Sequence, residues 1–114
     1  MEKTDALRVL DGLSQESRLD IFRLLVEQGP EGLPAGAIAE RMDLANATLS
    51  FHLKELFHAG LVTARQAGRF IYYSANLATV NGLVAYLTEN CCKGADCAVA
   101  CAPAPRRARR KRAP

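Results

Sequence analysis

"IAERMDLANATLSFHLKELFHAGLV", residues 38–62, is the stretch on which the fold turns. Ile38, Ala39 and Met42 share one side of a short helix, and a break follows near Asp43-Leu44. Leu49, Leu53 and Leu56 then recur in helical phase until Gly60 closes the second helix. Two short amphipathic helices joined by a tight turn make a helix-turn-helix.

The pattern changes downstream. "LVTARQAGRFIYYSAN", residues 61–76, holds two β-rich runs, Leu61–Arg65 and Phe70–Ser74, with Ala67-Gly68 as the expected hairpin turn. A hairpin directly after a helix-turn-helix is a wing. "LATVNGLVAYLTENCC", residues 77–92, returns to helical spacing through Leu77, Val80, Leu83, Val84, Leu87 and Cys91, with Gly94 ending the helix. Upstream, Pro34 suits the first turn of the helix that carries Ile38. "LSQESRLDIFRLLVEQGP", residues 13–30, predicts a helix with Ser14 or Ser17 as N-cap. Its inward face is Leu19, Phe22, Leu25 and Val26, and Gly29-Pro30 stops it. Leu7, Leu10 and Leu13 predict one more helix at the start, weakened at its end by Gly12. The fold class is mainly α with a β-hairpin: a dimeric winged helix-turn-helix.

Composition fits that order. The chain has 114 residues, enough for one domain with a modest core. Trp is absent, so Leu, Val, Ile and Ala carry the core, which favours helices. The N-terminus lacks a secretory pattern, and no run approaches the roughly 18 apolar residues of a membrane span. The expectation is a cytoplasmic protein with no membrane partner. The net charge of +3 is unevenly placed: the tail "RRARRKR", residues 106–112, holds six of the fifteen Lys and Arg. Residues 1–105 keep nine against twelve Asp and Glu, a balance of −3. Residues 102–114 are expected to be a disordered tail, either a basic arm for DNA phosphates or a solubilising end. No Gly-rich phosphate loop, paired carboxylates or Ser/His/Asp set appears, so an enzyme is not expected.

If Leu49, Leu53 and Leu56 face inward, the other side of their helix presents Asn46, Ala47, Thr48, Ser50, Phe51, Lys54 and His58. Asn pairs with adenine, Thr and Ser bond base or phosphate, Phe51 suits a thymine methyl, and Lys54 suits a phosphate. Alternatives stand beside these roles. Asn46 caps its helix instead, or Phe51 packs on the wing. His52, at the edge of the buried face, is either a DNA contact or a hydrogen-bonded core histidine. His58 is expected to touch neither DNA nor metal. Arg65 and Arg69 flank the wing tip, where arginine reaches a minor groove or a phosphate, or is merely solvated. One recognition helix reads half a site, so a two-fold dimer is expected. Leu7, Leu10, Leu83, Val84 and Leu87, on the first and last helices, are the candidate dimer interface, unless they only complete the protomer core.

"ENCCKGADCAVAC", residues 89–101, holds all four cysteines: Cys91, Cys92, Cys97 and Cys101. Without an oxidising compartment, such a cluster reads as metal ligands or a redox sensor.

Three stretches, "SQESRLDIFRLL", residues 38–62 and "GRFIYYSA", together resemble the arsenical-resistance (ArsR) family of winged-helix repressors, over roughly residues 5–92. The resemblance implies a homodimer on a palindromic double-stranded operator, released by an inducer. It also implies inducer sites, two of which are missing. The C-x-C-x-x-C motif of many metalloid sensors would fall in "EGLPAGAIAE", which has no cysteine. The His and Asp pairs of zinc sensors would fall in "ATVNGLVAYLTEN", which has neither. "ENCCKGADC" looks like a further branch that places its arsenic cysteines beyond the last helix. That likeness implies Cys91, Cys92 and Cys97 as ligands of trivalent arsenic or antimony, with Cys101 as a spare or substitute. Three thiolates suit a soft, thiophilic centre. A methylated trivalent arsenical needs only two. No organic cofactor is implied. The domain plan is residues 1–92 for DNA binding and dimerisation, 91–101 for the inducer and 102–114 for the tail. Competing readings are a tetrahedral zinc site, against which the adjacent pair counts, a disulfide redox switch, an uninvolved tail, and a metalloid carrier that never binds DNA.

Overall fold

The computed structural model describes residues 1–94. Cys97, Cys101 and the basic tail lie outside them.

Among the described residues, five helices and three strands follow in the order α1 (Lys3–Leu13), α2 (Glu16–Gln28), β1 (Leu33–Pro34), α3 (Ala35–Met42), α4 (Asn46–His58), β2 (Val62–Ala67), β3 (Phe70–Ala75) and α5 (Leu77–Thr88), then a 3₁₀ turn, Cys91–Gly94. The architecture is mainly helical with a small antiparallel sheet of order β1-β3-β2. No helix is long and apolar enough to cross a membrane among the described residues.

The centre of the core is Ile21 and Leu25 from α2, Ile38 from α3, Leu49 and Leu56 from α4, and Leu61 beyond it, all fully buried. Asp43 ends α3 in the left-handed region (φ 55°), which makes the turn of the helix-turn-helix. Gly60 follows α4 at φ 76°, a conformation glycine adopts without Cβ strain. Gly60 N–H donates to the Phe57 carbonyl and Leu61 N–H to that of Leu56, the two bonds of a Schellman end.

Several local expectations change. In α1 the buried positions are Ala6, Val9 and Gly12, while Leu7 and Leu10 point outward. Gly12 is a packing choice: a Cβ there would meet Leu61 Cδ1 at 2.9 Å and Ala59 Cβ at 3.0 Å. Its bare backbone lets α1 approach the end of α4. The N-cap of α2 is Gln15, whose Oε1 accepts from Arg18 N–H at 2.9 Å, rather than Ser14 or Ser17. Ser14 instead ends α1, its hydroxyl donating to the Asp11 carbonyl. Ile21 takes the inward place given to Leu19 and Val26, which are exposed. The stretch before α3 forms β1, pairing Leu33 with Tyr73 and Pro34 with Tyr72. The hairpin turn is Gly68-Arg69, one residue later than expected, because Ala67 pairs with Phe70. Gly68 takes φ 63° at the first turn position. Helix α5 stops at Thr88, short of Cys91: Glu89 turns extended and Asn90 left-handed (φ 58°).

Candidate nucleic-acid interface and cysteine segment

Helix α4 has two unlike sides. Leu49, His52, Leu53 and Leu56 are buried. Asn46, Ala47, Thr48, Ser50, Phe51, Lys54 and His58 are exposed. The N-cap is Ala45, which has no side chain to cap with, and Asn46 stands one position inside the helix. The capping role considered for Asn46 is therefore not the one observed. The polar, small-residue end of α4 faces solvent, as a helix entering a major groove requires.

His52 belongs to the core. It is 8% exposed, so it does not lie on the side with Ser50 and Lys54. Among the described residues its Nδ1 has no hydrogen-bond partner, unlike the bonded core histidine considered as the alternative. Burial, and secondly the nearby Arg18 guanidinium, hold its pKa below the ordinary 6.5. The Arg18 Nε itself donates to the Gly12 carbonyl at 2.8 Å.

The wing stands beside α4. Ser50, Lys54 and Phe57 on one wall and Ala64 and Tyr73 on the other enclose a groove of about 310 Å³. Tyr73 packs against the core, and Tyr72 lies under Arg65, whose guanidinium carbon is 5.1 Å from the ring centre. Arg65 also donates to the Glu31 carbonyl at 3.0 Å. Arg65 thus braces the middle of the hairpin, while Arg69 sits in the turn. The hydroxyls of Thr63 and Ser74 are paired across the strands at 2.9 Å.

Helix α1 packs against α5. On these two helices Leu7, Leu10, Val84 and Leu87 are exposed, whereas Leu83 is buried and completes the core. Helix α5 is tied to the end of α4 at its first turn. Thr79 Oγ1 donates to the Gly60 carbonyl at 2.6 Å, and Asn76 N–H to that of Leu61 at 2.8 Å. Thr79 carried no signal in the sequence, since a threonine early in a helix looks like any solvated residue. The cysteine pair follows three residues after α5. Cys91 is half-buried and Cys92 exposed, the latter at φ 56°. The other two cysteines lie outside the described residues.

A helix-turn-helix domain family matches residues 13–65. The arsenical resistance operon repressor of Bacillus subtilis is 34% identical over 80 residues, covering 70% of this chain and 72% of that protein. An ArsR-like transcriptional regulator from Rhodococcus sp. RHA1 is 30% identical, with a TM-score of 0.66, over 76% of this chain and 78% of that one. The chain belongs to the ArsR family of transcriptional regulators. The regulator is also similar to a homodimeric winged helix-turn-helix DNA-binding domain from Mycobacterium bovis. Identity there is 28% and the TM-score 0.62, over 82% of this chain and 87% of that one. These matches are transcriptional regulators, so the regulator is no enzyme.

Proposed function

We propose that the regulator is a homodimeric repressor of an arsenic-resistance operon. It leaves a palindromic operator when Cys91, Cys92 and Cys97 bind As(III) or Sb(III). The observation that carries this is position. The adjacent pair Cys91-Cys92 sits on a 3₁₀ turn separated by two residues from the end of α5, the helix whose exposed Val84 and Leu87 suit a partner protomer. The name of the B. subtilis relative, an arsenical resistance operon repressor, supports the same reading.

In DNA binding, Asn46, Ala47, Thr48, Ser50 and Phe51 face the major groove while Lys54 and Arg69 meet phosphate or the minor groove. In sensing, each thiol gives up a proton as its sulfur displaces one hydroxide from arsenite, which leaves as water. Three sulfurs drawn together shorten the segment beyond α5. The Thr79–Gly60 bond then passes a shift of α5 to the end of α4. Inducer and DNA must weaken each other equally, by about 1–3 kcal/mol for a coupling of this kind.

The test is a gel shift with DNA from upstream of the regulator's own gene. Reduced protein should bind, arsenite or antimonite should release it, and Cys91→Ser or Cys92→Ser should bind DNA yet ignore arsenite. Full arsenite release of Cys91→Ser overturns the assignment. Release by zinc or peroxide alone makes the site a zinc or thiol-redox sensor. No binding by reduced protein leaves a metalloid carrier.

A further inference from the structure

The hairpin ends in an apolar tip with a single sign of charge. Phe70 is 54% exposed and Ile71 46%, directly after the Gly68-Arg69 turn. Register puts them on opposite faces of the hairpin. Phe70 lies across from Ala67, on the face of Arg65 and Tyr72. Ile71 lies across from Gln66, on the face of Ala64 and Tyr73, which forms the groove wall opposite Ser50 and Lys54. Residues 62–75 contain two arginines and no Asp or Glu. Behind the tip the hairpin is stiff: β1 pairs with β3, the Thr63 and Ser74 hydroxyls are bonded, and Arg65 is held over Tyr72. Two large apolar side chains left in water at the end of a braced arm do nothing for the core. Their area is also far below the roughly 800 Å² per partner that a stable protein contact buries.

We propose that this tip gauges the width of the DNA minor groove. Arg69 enters the groove, and Phe70 and Ile71 pack on its two deoxyribose walls. The inference rests on the DNA-binding part of the reading above and not on the cysteines. Its physical basis is threefold. A minor groove is only about 6 Å wide, and A·T-rich steps make it narrower and more negative, which draws in arginine. Sugar carbons give apolar surface to side chains that diverge from the two faces of a hairpin. A G·C pair places an amino group on the groove floor, which obstructs Arg69 and lifts Phe70 and Ile71 off the walls. The basic, acid-free wing complements the phosphates on either side.

The experiment uses the full chain and DNA from upstream of its gene. Protected base pairs are mapped first. The pairs facing the wing are then made A·T, G·C or inosine·cytosine. Inosine·cytosine keeps the major-groove acceptors of G·C but lacks the minor-groove amino group. Wild type should bind the A·T and inosine·cytosine versions alike and the G·C version about tenfold more weakly, the scale of one unfavourable pair. Phe70→Ser and Ile71→Ser, whose side chains are outside the core, should keep wild-type melting and dimer size. Each should lower that preference by about twofold or more, the remainder being the share of Arg69 and the other apolar residue. The proposal is overturned if both variants keep the full preference, or if inosine·cytosine behaves as G·C. Wild type that binds none of the three overturns the DNA reading itself, before any flank has been compared.

Discussion

Thr79 Oγ1 and the Gly60 carbonyl, 2.6 Å apart, form a side-chain bond joining α5 to the end of α4. Gly60 follows α4 and Thr79 lies in the first turn of α5, so one bond joins the helix proposed to read DNA to the helix that precedes the cysteines. Thr79→Val keeps the shape and leaves the Gly60 carbonyl without this donor. We expect a loss of about 1–2 kcal/mol in urea unfolding. Operator affinity without inducer should hold within a few fold, while the ratio of affinities with and without arsenite shrinks. An unchanged ratio would remove Thr79 from the coupling path.

Gly12 sets how closely α1 meets the α4 end. Gly12→Val drives carbon into Leu61 and Ala59, which a Cβ alone already meets at 2.9 and 3.0 Å. The expected loss is about 1–3 kcal/mol, as for other overpacked cores, read by thermal or urea unfolding. A variant as stable as wild type would show that α1 can move away.

His52 makes stability depend on pH. Its folded-state pKa lies below 6.5, first from burial and second from Arg18. Below 6.5 the unfolded chain therefore binds a proton that the folded chain resists. Unfolding free energy should fall as pH drops from about 7 toward 5, and the contribution should be fully present above that range. His52→Leu should flatten this slope in urea titrations at several pH values. Equal slopes for the two proteins would assign the pH dependence to other groups.

Val84 and Leu87 are 53% and 61% exposed in the protomer. Glutamate at either position should leave the protomer folded, break a dimer built on α1 and α5, and weaken operator binding. Sedimentation at micromolar concentration reads the outcome, and a dimer surviving both changes would place the interface elsewhere.

Lys54 and Arg65 should separate cleanly. Lys54→Ala should weaken binding to all DNA sequences and lower the salt slope by about one. Arg65→Ala loses the stacking on Tyr72 and the bond to Glu31. Its main effect should be on hairpin stability, with the salt slope nearly kept. Titrations at several salt concentrations distinguish the two, and a slope change on Arg65→Ala equal to that on Lys54→Ala would return Arg65 to the phosphates.

The helix-turn-helix and its wing are legible in the amino-acid sequence alone. Their signals are local: Leu49, Leu53 and Leu56 repeat with the helical period, and Gly60 and Gly68 mark backbone that other residues avoid. The exposed side of α4 followed from the same period, since a helix that buries one stripe must present the opposite one. What periodicity leaves open is which of two apolar stripes meets the core. In α1 both the Leu7 and Leu10 stripe and the Ala6 and Val9 stripe repeat helically. Arrival of α4 against Gly12 selected the smaller residues, because close helix approach needs small side chains there. The fate of His52, the bracing role of Arg65, the two-residue strand at Leu33–Pro34 and the Thr79–Gly60 bond each depend on a partner distant in the chain. No local pattern encodes such a partner, and only the assembled protomer supplies it.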